Sequence, residues 1–198
     1  HLYPIADNDT PKLSADRLEY SLSNALFTYR LLDLASIKEI YDDIEIQTNE
    51  EKEIELGFKT KKNARNFVKV TSRLSVIYRE DRTRYSMQLI ADILKKLSDE
   101  NKISKKDLYE LKESEVIDII ESSKYNDIFN IWRNAKKVKT SKEEPQNVYY
   151  VHHGAKIRYI DPLFNGERIS KCCKIANKMI ENNLSYDMNN YVYLDFNF

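Results

Sequence analysis

Asp16, Tyr20 and Asn24 stand four residues apart, a spacing that on a helix sets a carboxylate, a phenol and an amide in one row. Such a row can grip a hard cation and a sugar hydroxyl, and Arg17 beside it can receive phosphate oxygens. The bland alternative is a solvated helical face. An acid in a first turn is favoured by the helix dipole by ~0.3–1 kcal/mol, and surface Tyr and Asn are common.

For the row to act as a site, something must hold it. Ser14 is placed to cap a helix running to about Leu32, with apolar Leu18, Leu22, Ala25, Leu26 and Tyr29 at helical spacing, of which Leu18, Leu22 and Ala25 occupy a face other than the row's and can anchor it. Asp7-Asn8-Asp9-Thr10-Pro11 before it reads as a loop. Alternation from Ile44 to Phe58 predicts a β-hairpin, a charged helix being the other reading. Two long helices follow, Lys62 to Arg79 and Arg82 to Asp99, then short amphipathic runs after Ser104, Ser114 and Asn126. Residues 136–146 are charged, contain Pro145 and lack periodicity. Beyond them, Val148–Val151, Ile157–Ile160 and Tyr191–Phe196 are strand-like around a helix from Ile169 to Glu181. The fold class expected is therefore mainly α: a helical domain portion over 1–135 with a β-hairpin, a linker over 136–147, and a small C-terminal α+β module over 148–198.

Composition limits the function classes. The 198 residues carry 32 basic and 32 acidic side chains, so no basic excess argues for nucleic acid or an anionic membrane, and an anionic ligand must be met locally. Charged residues at 32% with only 3 Gly and 4 Pro describe a folded, helix-rich chain. No apolar run reaches membrane-spanning length. Cys172 and Cys173 are adjacent, which disfavours a structural disulfide and makes a cytoplasmic protein the expectation. The first residue is His1, not Met, and we expect a fragment of a longer protein.

The run Leu13-Ser14-Ala15-Asp16-Arg17-Leu18-Glu19-Tyr20 resembles the Asp-Arg-Leu-Asp-Tyr segment of HD-domain metal-dependent phosphohydrolases, the superfamily that includes the deoxynucleoside triphosphate triphosphohydrolases. The likeness extends through Glu80-Asp81-Arg82 and through Lys156-Ile157-Arg158-Tyr159-Ile160-Asp161-Pro162-Leu163. It implies that Asp16 is the last protein ligand of a divalent metal (Mn, Mg, Fe, Ni or Zn). The other ligands in that family, a His and a consecutive His-Asp pair, lie upstream and have no counterpart here. It further implies that Arg17 contacts phosphate, that Tyr20 lies near the sugar and that Tyr78 lines the pocket. Asn24 falls where the triphosphohydrolases have Asp, and Glu19 replaces an Asp, so deoxynucleotide specificity does not carry over. Such a metal acidifies a bound water aimed at phosphorus, and one carboxylate alone does not make its site.

The resemblance thus implies the C-terminal part of an HD-domain phosphohydrolase, inactive by itself, acting on a nucleotide or another phosphate ester. Its partners would be the N-terminal remainder of the protein and a further copy in a homo-oligomer. The alternative is a regulatory or interaction module on the same scaffold without turnover, and a third reading is coincidence. His1 is near enough in sequence to approach the Asp16 helix, although a single His at a chain start is more often solvated. His152 and His153 point to opposite faces of a strand and read as structural. Asp7-Asn8-Asp9 lacks the Gly and Glu of a calcium loop, and Cys172 reads as a small packed residue.

Overall fold

Ser14 does cap a helix, in extended backbone geometry with its Oγ accepting from the Arg17 N–H. The computed structural model describes residues 3–198. In chain order the helices are α1 (Ala15–Ser23), α2 (Leu34–Asp42), α3 (Lys61–Ile77), α4 (Asp81–Asp99), α5 (Asp107–Glu110), α6 (Glu113–Glu121), α7 (Asn126–Asn134), α8 (Ile169–Cys172) and α9 (Lys174–Leu184). The strands are β1 (Ile44–Thr48), β2 (Ile54–Phe58), β3 (Lys139–Ser141), β4 (Tyr150–Val151), β5 (Leu163–Phe164), β6 (Glu167–Arg168) and β7 (Tyr191–Tyr193). About 49% of the chain is helical and 11% is strand, in two small sheets. The expectation of a mainly α fold is therefore corrected to a mixed α+β fold. Pairings of two or three residues, such as β5 with β6, are too short to leave a periodic signature.

The chain forms two units, and both are discontinuous in sequence. Residues 1–78 and 156–186 make one, 79–155 and 187–198 the other. In the first, β1 and β2 form the expected hairpin, Ile44 opposite Phe58 and Thr48 opposite Ile54. β2 continues in parallel to β5, and β5 turns antiparallel into β6, giving the order β1-β2-β5-β6. At Gly57 a Cβ would come within 2.8 Å of the Gln47 side chain and 3.0 Å of the Leu163 Cβ, so any larger residue there must displace the Gln47 amide and crowd Leu163. The core behind the sheet joins Leu18 and Leu22 of α1, Phe58 of β2, Phe67 and Val68 of α3, and Ala176 and Ile180 of α9. The predicted helix from Ile169 to Glu181 breaks at Cys173, which has extended geometry, into α8 and α9.

In the second unit the predicted long helix appears as α4, its buried stripe Tyr85, Leu89, Ile93 and Leu97 recurring at helical spacing. Phe129, Val151, Val192 and Leu194 close the core over it. The sheet has order β3-β7-β4, with both outer strands antiparallel to β7. β3 lies within the stretch read as a linker. Ile157–Ile160, read as a strand, pairs with none. Arg84 is 2% exposed and donates to the His153 carbonyl and to Asp81.

Candidate functional site

Helix α1 is fixed from both sides before it offers any side chain to a ligand. Leu18 and Leu22 are sunk in the core, and the first free amides bond the preceding loop, Ala15 to the Ile5 carbonyl at 2.7 Å and Asp16 to the Ala6 carbonyl at 3.2 Å. The Leu13 N–H donates to Glu55 Oε1 at 2.8 Å. Glu55, fully buried on β2, in turn takes a two-pronged bond from Arg168, at 2.7 and 2.9 Å. Burial alone would lower the Arg168 guanidinium, but its bonds to Glu55 and Glu50 raise it above its ordinary value.

Of the five residues expected at the site, four line one cleft: Asp16, Arg17, Tyr20 and Tyr78. The cleft has a cavity volume of about 120 Å³ and opens to solvent. Arg17 is committed to the fold rather than open to a ligand. It donates to Thr10 Oγ1 at 3.0 Å, the Lys12 carbonyl at 3.2 Å and the Asn8 carbonyl at 2.6 Å, so it staples the loop over the helix. Asn24 is not part of the cleft lining. It starts a π turn, Asn24–Thr28, that ends the helix well short of Leu32, and its Oδ1 accepts from Thr28 Oγ1 at 3.2 Å.

Tyr78 caps the end of α3 and meets Tyr29 edge to face at 6.0 Å. Burial, then the neighbouring Tyr29 and Tyr20, push its phenol up, with the Asn24 side chain opposing. Its hydroxyl is buried and, among the described residues, lacks a hydrogen bond of regular geometry. His1 lies outside the described residues.

Two cations in the cleft were not assigned a role from sequence: Lys156 and Arg158. Both are exposed, and neither is ion-paired among the described residues, whereas Lys12, Lys62, Lys139 and Arg168 all are. The backbone between them is held in place, because the Arg158 carbonyl accepts from Ser75 Oγ and from Asn183 Nδ2, and the Asp161 N–H donates to the Pro11 carbonyl at 2.9 Å. The signal was present in Lys156-Ile157-Arg158: in an extended segment, residues two apart share a side.

Two carboxylates, Asp7 and Asp16, also face the cleft. Among the described residues no group of three or more His, Cys, Asp or Glu is placed to hold a metal ion. The donor set of the cleft therefore does not fit a metal by itself, and its cationic members oppose one. His152 stacks on Tyr191 at 3.8 Å, and His153 bonds the Gly154 carbonyl. Burial pushes the Cys172 thiol up, away from nucleophilic use. Among the described residues, no helix is long and apolar enough to cross a membrane.

Comparison with protein-family models, with curated proteins and with solved structures gives no match.

Proposed function

We propose that this chain carries the substrate-facing wall of an HD-type phosphohydrolase and that its cleft takes a phosphorylated small molecule of the nucleotide class. The observation that carries the reading is the meeting of Lys156 and Arg158, neither in an ion pair among the described residues, with Asp16, Tyr20 and Tyr78 in one cleft. Two cations without carboxylate partners leave a local positive field in a chain of zero net charge, and a phosphate is the ligand that compensates it. Tyr20 and Tyr78 then supply flat, semi-polar surface for a sugar or base, the Tyr20 hydroxyl rather than the buried Tyr78 hydroxyl being the one to meet a ligand. Since the described donors do not complete a metal site, binding rather than turnover is what these residues account for.

A second reading, the same scaffold as a nucleotide-responsive module without turnover, draws on the balance of charge in the cleft. Arg17, Lys156 and Arg158 outnumber Asp7 and Asp16, which suits retention of an anion better than metal-assisted hydrolysis.

Titration calorimetry with ATP, dGTP and inorganic phosphate, each in EDTA and then in Mn²⁺, tests the binding. Charge-assisted hydrogen bonds contribute about 1.5–3 kcal/mol, so Arg158→Ala and Lys156→Ala should each weaken nucleotide binding by about tenfold or more. Unchanged affinity in both variants would sink the assignment. Phosphate release by the full-length gene product with Mn²⁺, wild type against Asp16→Ala, separates the two readings.

A further inference from the structure

Sheets end in strands whose outward N–H and C=O groups are unpaired, and proteins protect such edges by shortness, Lys, Pro, bulges or cover. Among the described residues, three of the four sheet edges are protected in that way. β6 is two residues long and runs directly into α8, β4 is two residues long, and β3 is three residues long and begins with Lys139. β1 differs. It is five residues long, Ile44-Glu45-Ile46-Gln47-Thr48, with an unbroken register to β2 and no Lys, Pro or bulge.

The direction of its free groups follows from its ladder. Lys59 N–H bonds the Asp43 carbonyl, and Asn49 N–H bonds the Glu53 carbonyl. By the alternation of antiparallel pairs, Glu45 and Gln47 then also face β2, leaving the backbone of Ile44, Ile46 and Thr48 directed outward. Ile46 is 64% exposed and Ile54, across from Thr48, is 49% exposed. The one charge on the strand, Glu45, already accepts a 2.8 Å bond from Gln47 Nε2.

We propose that β1 is a self-association edge, pairing antiparallel with β1 of a second copy of this chain about a two-fold axis at Ile46. In that register Ile46 meets Ile46 of the second copy, and Glu45 stands opposite Gln47, so no like charges are opposed. The outward groups of Ile44, Ile46 and Thr48 find partners at the matching positions, so that ladder and side-chain pattern agree on one register. An isologous contact of this kind closes after two copies and does not propagate. Two five-residue strands are small beside the ~1,200 Å² or more buried in stable interfaces, so the association depends on concentration.

The test is light scattering coupled to size exclusion over a concentration series up to about 1 mM, the range in which a weak contact of a few kcal/mol is populated. The wild type is expected to move from 23.5 kDa toward twice that mass. Ile46→Lys, at an exposed position, should remain monomeric with an unchanged circular dichroism spectrum. In an antiparallel hydrogen-bonded pair the two Cα atoms lie about 5.5 Å apart, within disulfide reach. Ile46→Cys should therefore give a disulfide-linked dimer under mild oxidation, mapped by mass spectrometry to position 46 in both copies. If Ile46→Lys fails to fold, this cross-link decides. A wild type that stays monomeric throughout the series overturns the proposal. So does a dimer that survives Ile46→Lys, or one whose cross-link excludes position 46.

Discussion

Replacing Arg168 by Met tests whether the buried ion pair under the site helix is structural support or ornament. Glu55 is fully buried and Arg168 is 4% exposed. The guanidinium supplies both carboxylate oxygens of Glu55, the Asp161 carbonyl at 3.0 Å and Glu50 at 3.0 Å. Without it, Glu55 keeps only the Leu13 N–H and Asn49 Nδ2 as donors. Leaving one charge of a buried pair uncompensated costs about 3–5 kcal/mol. At roughly 2–4 °C per kcal/mol for a chain of this size, Arg168→Met should lower the melting temperature by about 10 °C. The double variant Glu55→Gln with Arg168→Met removes both charges and should recover much of that loss. The assay is thermal unfolding by far-ultraviolet circular dichroism, because Trp132 belongs to the other unit and its fluorescence would report elsewhere. Hydrogen exchange at the Leu13 amide, which should quicken in Arg168→Met, shows whether the helix start loosens with the pair. A single variant within about 1 kcal/mol of wild type, or a double variant no better than the single, refutes the reasoning.

Glu100 offers a pH prediction: hydrogen bonds from Lys124 and Tyr125 hold its carboxyl down to about 2 from an ordinary 4.5. A lowered folded-state value stabilises above the unfolded value and is lost as pH falls through the folded one. Melts between pH 5 and about 2 should therefore drop more steeply for wild type than for Glu100→Gln, and identical slopes would count against it. Gly57→Ala should destabilise the first unit by about 1–3 kcal/mol through overpacking, because Gln47 is tied to Phe58 and Gly166. Adding Gln47→Ala should relieve part of that loss, measured by urea unfolding. Leu89→Ala, at a fully buried position of α4, should cost the second unit about 2–5 kcal/mol, read from Trp132 fluorescence.

The sequence discloses structure where a local pattern repeats for long enough. The hairpin from Ile44 to Phe58 and the helices α3 and α4 have such patterns and lie close to the expected bounds. Helix α1 begins at the Ser14 cap but ends early, because the π turn at Asn24 and the positive φ at Arg30 carry no apolar period. The helix α2 went unread. Its Asp33 cap, whose side chain accepts from the Ser36 N–H, and the helical spacing of Leu34, Ile37, Ile40 and Tyr41 were there to be read, but the run is only nine residues long. β3 escaped for a similar reason: it is three residues long and its partner β7 lies some fifty residues on. Of the cleft residues, Asp16 and Tyr20 were singled out by helical spacing, and Arg17 and Tyr78 by their place beside the row or by the resemblance alone. What Arg17 does was not legible, since its donors go to carbonyls of a loop whose path no pattern specifies. That Lys156 and Arg158 share a side could be read from their spacing, but not that Ser75 and Asn183, by holding one backbone carbonyl, bring that side to the cleft.

The discontinuity of both units sets an order of events during synthesis. The cleft cannot be assembled while Lys156 and Arg158 are still inside the ribosome, although Asp16 has long since emerged. The second unit waits longer still, because β7, the middle strand of its sheet, is made of residues 191–193. Until then β3 and β4 have no shared neighbour, and the apolar stripe of α4 lacks Val192 and Leu194. At elongation rates of about 5–20 residues per second, the part of the α4 stripe that Val192 and Leu194 cover therefore stays open for several seconds after the helix itself is made.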